Sequence, residues 1–196
     1  MTEKILAAVA LSLMLAGCTA PQAPQTQSLP MTARDPEVER TFISCRWLDI
    51  VSENFESEDT AGTEPGKRYQ RIFAEFPTTS QEMQTGLKGR INLHPDTAML
   101  FEFPGDQNPV LWMKDTPSSL DLVFFDTYGE VFYLETGTEP DSQRFLTPEE
   151  PDPIATHVLE LRANRAEELG IFPGLSHIRI GPIQPCSQAS QNIISV

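Results

Sequence analysis

The chain has 196 residues, with 28 Asp and Glu against 14 Lys and Arg, and a formal net charge of -14. Its length suits one domain with a real core plus tails, and its acidity argues against nucleic acid or anionic headgroups as partners unless a basic patch overrides the field. The densest basic cluster, Lys67, Arg68 and Arg71, is flanked by Glu64 and Glu75 and makes no such patch.

At the amino terminus Lys4 precedes an apolar run, Ile5 to Ala16, interrupted only by Ser12. A membrane-spanning helix needs about 20 apolar residues, so this shorter run reads as the apolar part of a signal segment that closes on the small residues Ala16 and Gly17. Leu15-Ala16-Gly17-Cys18 resembles the lipobox of bacterial lipoproteins. The resemblance implies removal of residues 1–17, a thioether-linked diacylglycerol on Cys18 and acylation of the new amine; an ordinary secretory signal with a chance cysteine is the alternative. Two or three acyl chains hold a protein stably where one holds marginally. Thr19 after the cysteine, where aspartate would mark inner-membrane retention, points to an outer-membrane anchor facing the periplasm if the source is Gram-negative. Glu3 and Lys4 leave together, so the acidity belongs to the exported part.

Residues 18–40 are rich in Pro, Gln, Thr, Ser and Ala and read as a tether. Residues 41–68 form an extension, with a strand-like stretch from Phe42 to Val51 and an acidic loop from Glu53 to Lys67 ending in Gly62-Thr63-Glu64-Pro65-Gly66. Residues 69–182 are the β-rich domain. Arg71 to Phe76 is a strand closed by Pro77. Thr79 and Glu82 then stand at capping-box spacing before a short helix carrying Met83 and Leu87, with Gly89 as its stop. Further strands are expected at Met99 to Phe103, Val110 to Lys114 and Leu120 to Phe125. Asp126-Thr127-Tyr128-Gly129 reads as a hairpin turn into Val131 to Leu134. A polar connection runs from Gly137 to Pro153, and Thr156 to Leu161 returns to strand. Asn164, with Glu167, is expected to cap a second short helix stopped by Gly170, and His177 to Ile180 is the last strand before a tail at residues 183–196. The pattern predicts a mainly β (α+β) domain, an antiparallel β barrel or sandwich with two short helices.

The order of these motifs resembles the domain of unknown function family 192. The matching residues are Gly86-Leu87 with Arg90, Met99-Leu100-Phe101-Glu102-Phe103, Trp112-Met113-Lys114-Asp115-Thr116, Leu120 to Asp126 with Gly129, and Val158-Leu159-Glu160-Leu161 with Gly170-Ile171 and Gly174. The sequence departs from the family where Asp115, Ser119, Lys88 and Gly89 stand. The resemblance spans Arg71 to Ile180 and implies a compact β-rich domain, often exported, with no established activity.

Familiar catalytic signatures are missing: no G-x-S-x-G elbow, phosphate-cradling glycine loop, H-E-x-x-H or C-x-x-C. His94, His157 and His177 stand far apart with no second ligand at metal spacing, so no metal or cofactor is implied. Asp121 and Asp126, five apart on a strand, fall on opposite faces. One constellation remains. Alternation would place Trp112, Lys114 and Thr116 on one face and Met113 and Asp115 on the other. Asp121 opens an otherwise apolar strand, so its carboxylate needs a cation or donors, with Lys114 and Arg90 as candidates. Such a set is either an ion pair fixing two strands or a pocket with Trp112 as wall and Lys114 as charged contact for a small anionic or polar ligand. Cys45 and Cys186 remain once Cys18 is lipidated, and in an oxidising compartment they are expected to pair rather than stay free. The sequence thus reads as a lipid-anchored, non-catalytic binding or envelope-accessory module, partnered by the membrane and by a small ligand or envelope protein. The alternative is a small cell-envelope enzyme using Lys114 and Asp121 beside Trp112.

Overall fold

The computed structural model describes residues 44–53, 66–150 and 152–189. The expected signal, lipobox and tether, and the acidic loop over 54–65, lie outside them. Seven strands form one sheet: β1 (Ser44–Glu53), β2 (Lys67–Phe76), β3 (Ala98–Glu102), β4 (Leu120–Phe125), β5 (Val131–Glu135), β6 (His157–Arg162) and β7 (Ser176–Pro185), ordered β5-β4-β6-β3-β2-β1-β7. The short helices are α1 (Ser80–Thr85), α2 (Arg165–Leu169) and a single turn, α3 (Cys186–Ala189). Among the described residues no helix is long and apolar enough to cross a membrane.

Successive strand residues point to opposite faces, and here both faces are covered. Leu48, Ile50, Ala74, Leu100, Val123, Phe125, Leu159 and Leu161 pack on one face with Ala166, Leu169 and Ile171 from α2 and its exit. Met99, Phe101, Leu120, Leu122, Phe124 and Val158 pack on the other with Leu87, Met113 and Leu146 from the long connections. β4 is accordingly buried at all six positions, the run Leu122 to Phe125 being apolar on both faces and Asp121 the single polar side chain among them.

The sheet is mixed rather than wholly antiparallel. β2 and β3 pair in parallel at Glu75↔Met99, because the crossover through α1 returns the chain to the end where β2 began. It does not close into a barrel. The edge strands meet only near one isolated bridge, Glu130↔His177, where Gly129 at φ 92 lets its own strand approach. A Cβ on Gly129 would lie 2.2 Å from the Ile178 carbonyl oxygen, so no other residue fits there. The strand expected over Val110 to Lys114 shrinks to one bridge, Leu111↔Leu146. Pro109 lacks an N–H at its start, and Asp115 turns the chain at φ 61 beyond its end.

The α1 capping box forms as expected, with the Thr79 hydroxyl accepting from the Glu82 N–H and the Glu82 carboxylate accepting from the Thr79 N–H. The helix stops at Gly86, earlier than Gly89. Gly170 closes α2 in the left-handed region, but Asn164 does not cap it: at φ 68 its side chain makes no capping bond. β1 lies between β2 and β7, and the Cys45–Cys186 disulfide ties its start to α3 across 141 residues of sequence.

Candidate functional site

Asp121 shows where the expected ion pair went. Its register partner across the sheet is Leu161, on the face that α2 covers, and the residue is completely buried. Its two carboxylate oxygens accept the N–H of Gly137 and the N–H of Ala166, each at 3.0 Å. Two charge-assisted bonds to backbone satisfy a buried carboxylate without a cation, and neither Lys114 nor Arg90 pairs with it. The second of these bonds takes up a free N–H at the start of α2, the role expected of Asn164.

Lys114 lies instead on the outer surface. Its ammonium stands 5.3 Å from the centre of the Trp112 ring, close enough for cation–π attraction. The Leu111↔Leu146 bridge turns those two leucines inward and sends their neighbours Trp112 and Phe145 outward. The two rings stack with centroids 6.4 Å apart and remain 44% and 68% exposed. Asp115, also exposed, takes the left-handed turn, and its carbonyl accepts the Gly89 N–H at 2.8 Å. Of the expected set, Trp112 and Lys114 come together, while Asp121 is elsewhere.

Arg90 has a different partner. The Ser118 hydroxyl donates to the Arg90 carbonyl at 2.8 Å, which with the Asp115–Gly89 bond stitches the turn after α1 to the segment before β4. So held, the Arg90 guanidinium donates to both oxygens of Glu75, at 2.7 and 2.8 Å. Register extends the picture across the sheet: Glu75 opposes Met99, Met99 opposes Glu160, Glu160 opposes Leu122, and Leu122 opposes Glu135. These five residues form one lateral row on one face. Glu135 at its end accepts from the Tyr133 hydroxyl at 2.8 Å and pairs with Arg144.

Glu160, in the middle of the row, is the functional candidate that sequence reasoning missed. It is partly buried, and no donor among the described residues bonds to its carboxyl. Desolvation pushes its pKa up to about 7 against the lowering influence of Arg90. The available signal was alternation: in Val158-Leu159-Glu160-Leu161 the lone carboxylate shares a face with buried Val158.

The histidines are separate. His157 stacks on Phe125 with centroids 5.0 Å apart, Thr156 Oγ1 lies 2.9 Å from its Nδ1, and burial lowers its pKa. His177 Nδ1 lies 3.1 Å from Glu130, and exposed His94 accepts the Asp96 N–H at 3.2 Å. Among the described residues no three His, Cys, Asp or Glu side chains gather to hold a metal.

Residues 61–178 match the family described as uncharacterized ACR, DUF192. Among solved structures, the chain is similar to a protein from Sinorhizobium meliloti described as a candidate transcription regulator, with 26% identity and a TM-score of 0.55 over 69% of this chain and 93% of that one. It shares its fold with a protein of unknown function from Novosphingobium aromaticivorans, with 24% identity and a TM-score of 0.51 over 67% of this chain and 83% of the other. No curated protein matches.

Proposed function

The chain belongs to the DUF192 family, and from that premise we propose that it is a lipid-anchored binding module of the bacterial envelope, with Trp112, Phe145 and Lys114 as its recognition face. The observation that carries the reading is the stacked, solvent-facing pair of Trp112 and Phe145 with the Lys114 ammonium over the indole. Large aromatic rings left in water forfeit burial, and a flat π surface beside a cation suits a ring-shaped polar or anionic ligand, such as the sugar of an envelope glycan. Three further features support it. The Leu15 to Cys18 lipobox supplies the anchor, the Cys45–Cys186 disulfide suits an oxidising compartment, and the net charge of -14 disfavours nucleic acid. The enzyme reading lacks a working pair, since both oxygens of Asp121 are taken by the Gly137 and Ala166 N–H groups.

Two measurements test the proposal. Labelled palmitate is expected on the wild type and not on Cys18→Ser, which should leave the membrane fraction; label or carbonate-resistant membrane residence in that variant refutes the anchor. The chain has two tryptophans, so in a Trp47→Phe background Trp112 reports alone. Titration with soluble anionic envelope glycans is expected to shift its fluorescence, and the response should vanish on Phe145→Ala and Lys114→Ala. A response that survives both changes, or none at all, refutes the recognition face.

A further inference from the structure

The sheet face that α2 covers at one end carries a polar cluster at the other. Arg46, Glu102 and His157 each stand two residues from a leucine packed in that face, Leu48, Leu100 and Leu159, so alternation turns all three side chains to it. They sit at the start of β1, the end of β3 and the start of β6. The Arg46 side chain is 22% exposed, its guanidinium lies 4.2 Å from the centre of the Phe76 ring, and its buried Nε–H has no acceptor among the described residues. Its Nη2 stands 4.0 Å from Glu102 Oε2, too far for a hydrogen bond. A guanidinium that is largely buried, stacked and short of acceptors carries a desolvation cost that an arriving acceptor would relieve. Beside it, half-buried His157 lies flat on Phe125, with Thr156 Oγ1 at 2.9 Å from Nδ1, which leaves Nε2 for another partner. Arg46 lies outside the matched residues 61–178, so the family motifs do not supply it.

We propose that Arg46 and His157 form a site for a small monocarboxylate, seated on the Nε–Nη2 edge of the guanidinium, with Glu102 as its rim. The planar fork matches the two oxygens of a carboxylate, and the imidazole supplies a third N–H. The way in is past Glu102, whose side chain is 55% exposed. With His157 protonated the three side chains sum to +1, and one monoanion brings them to zero. A dianion would overshoot and meet the Glu102 charge. The charged groups that act on His157 are Glu102 of β3, Arg46 of β1 and Asp126 after β4. Burial holds the empty imidazole below the ordinary histidine range, so a bound carboxylate raises it, and binding strengthens as pH falls through that titration.

The test uses the full chain with 15N-labelled imidazoles, acetate as probe, chloride at equal ionic strength as control and inorganic phosphate as competitor. So small a probe binds no tighter than about millimolar. His157, identified by the resonance lost in His157→Gln, is expected to titrate low in chloride and higher in saturating acetate. His94 and His177 should not move, and phosphate should act more weakly than acetate. Arg46→Met keeps an apolar stem on Phe76 and should weaken acetate binding about tenfold or more. Glu102→Gln removes the repelling rim charge and should tighten it about twofold to fivefold. A His157 titration alike in acetate and chloride, equal shifts of all three histidines, or acetate binding that Glu102→Gln fails to tighten would each overturn the site, whether or not the Arg46 variant folds. Phosphate binding tighter than acetate would overturn the choice of a carboxylate. These outcomes are independent of the glycan titration at Trp112.

Discussion

Asp121 accepts the N–H of Ala166 at 3.0 Å, so a strand carboxylate caps a helix 45 residues later in the chain. Its other oxygen holds Gly137 at the exit of β5, and one fully buried side chain thereby joins the sheet, the loop after it and α2. Asp121→Ala removes both bonds and leaves two amides short of partners, at a cost of roughly 2 to 5 kcal/mol. Lys114→Ala, on an exposed side chain, should stay within about 0.5 kcal/mol. Urea unfolding of the two single variants and the double decides the matter. Additive costs are expected, and a double variant costing clearly less than the sum would restore the direct pair that these hydrogen bonds replace.

Much of this arrangement was legible because it is local. β4 and the hairpin turn into β5 were marked by the apolar run Leu122 to Phe125 ending in a turn with glycine, and the α1 capping box by two residues three apart. The two thiols left after Cys18 do form a bridge. Failures came where partners are distant in sequence. The parallel pairing of β2 with β3 depends on the path of the crossover, and the cap of α2 comes from Asp121 rather than from adjacent Asn164. At the site, Arg90, Trp112 and Lys114 were identifiable by residue type. Glu160 shares a row with Glu75, the partner of Arg90, only through strand register, which no spacing along the chain reveals.

Glu160 gives stability a pH dependence of definite sign. Its pKa is raised from 4.5 in the unfolded chain to about 7 in the fold, so the native state binds the extra proton between those values. The favourable contribution is therefore full below about 4.5 and is lost as pH rises through about 7. The difference amounts to roughly 3 kcal/mol. Relative to the wild type, Glu160→Gln should gain about that much stability between pH 4.5 and 8, read by urea unfolding at each pH. Parallel pH profiles for the two proteins would show that the carboxyl is not desolvated.

The Cys45–Cys186 bridge closes a loop of 141 residues. In the chain-entropy model its loss costs up to about 4 to 5 kcal/mol. Replacing both cysteines by Ala should lower stability by several kcal/mol, and amide exchange should quicken first in the second half of β7, which the bridge fastens beside β1. Non-reducing peptide mapping of freshly purified protein should recover the Cys45–Cys186 peptide pair. Recovery of both thiols free would refute the bridge.

Arg90 and Glu75 make the best-formed charged contact on the row, two hydrogen bonds between side chains that are 19% and 11% exposed. Removing either partner strands a largely buried charge, so Arg90→Ala and Glu75→Ala should each cost roughly 3 kcal/mol, whereas the double variant should cost well below their sum. Arg90→Lys keeps the charge but loses the planar fork, and should recover only part of the loss. Arg90 lowers the Glu160 carboxyl through its charge, so Arg90→Ala should move the Glu160 titration upward from about 7. Arg90→Lys should move it much less. A Glu160 titration insensitive to Arg90→Ala would mean that the guanidinium serves Glu75 alone.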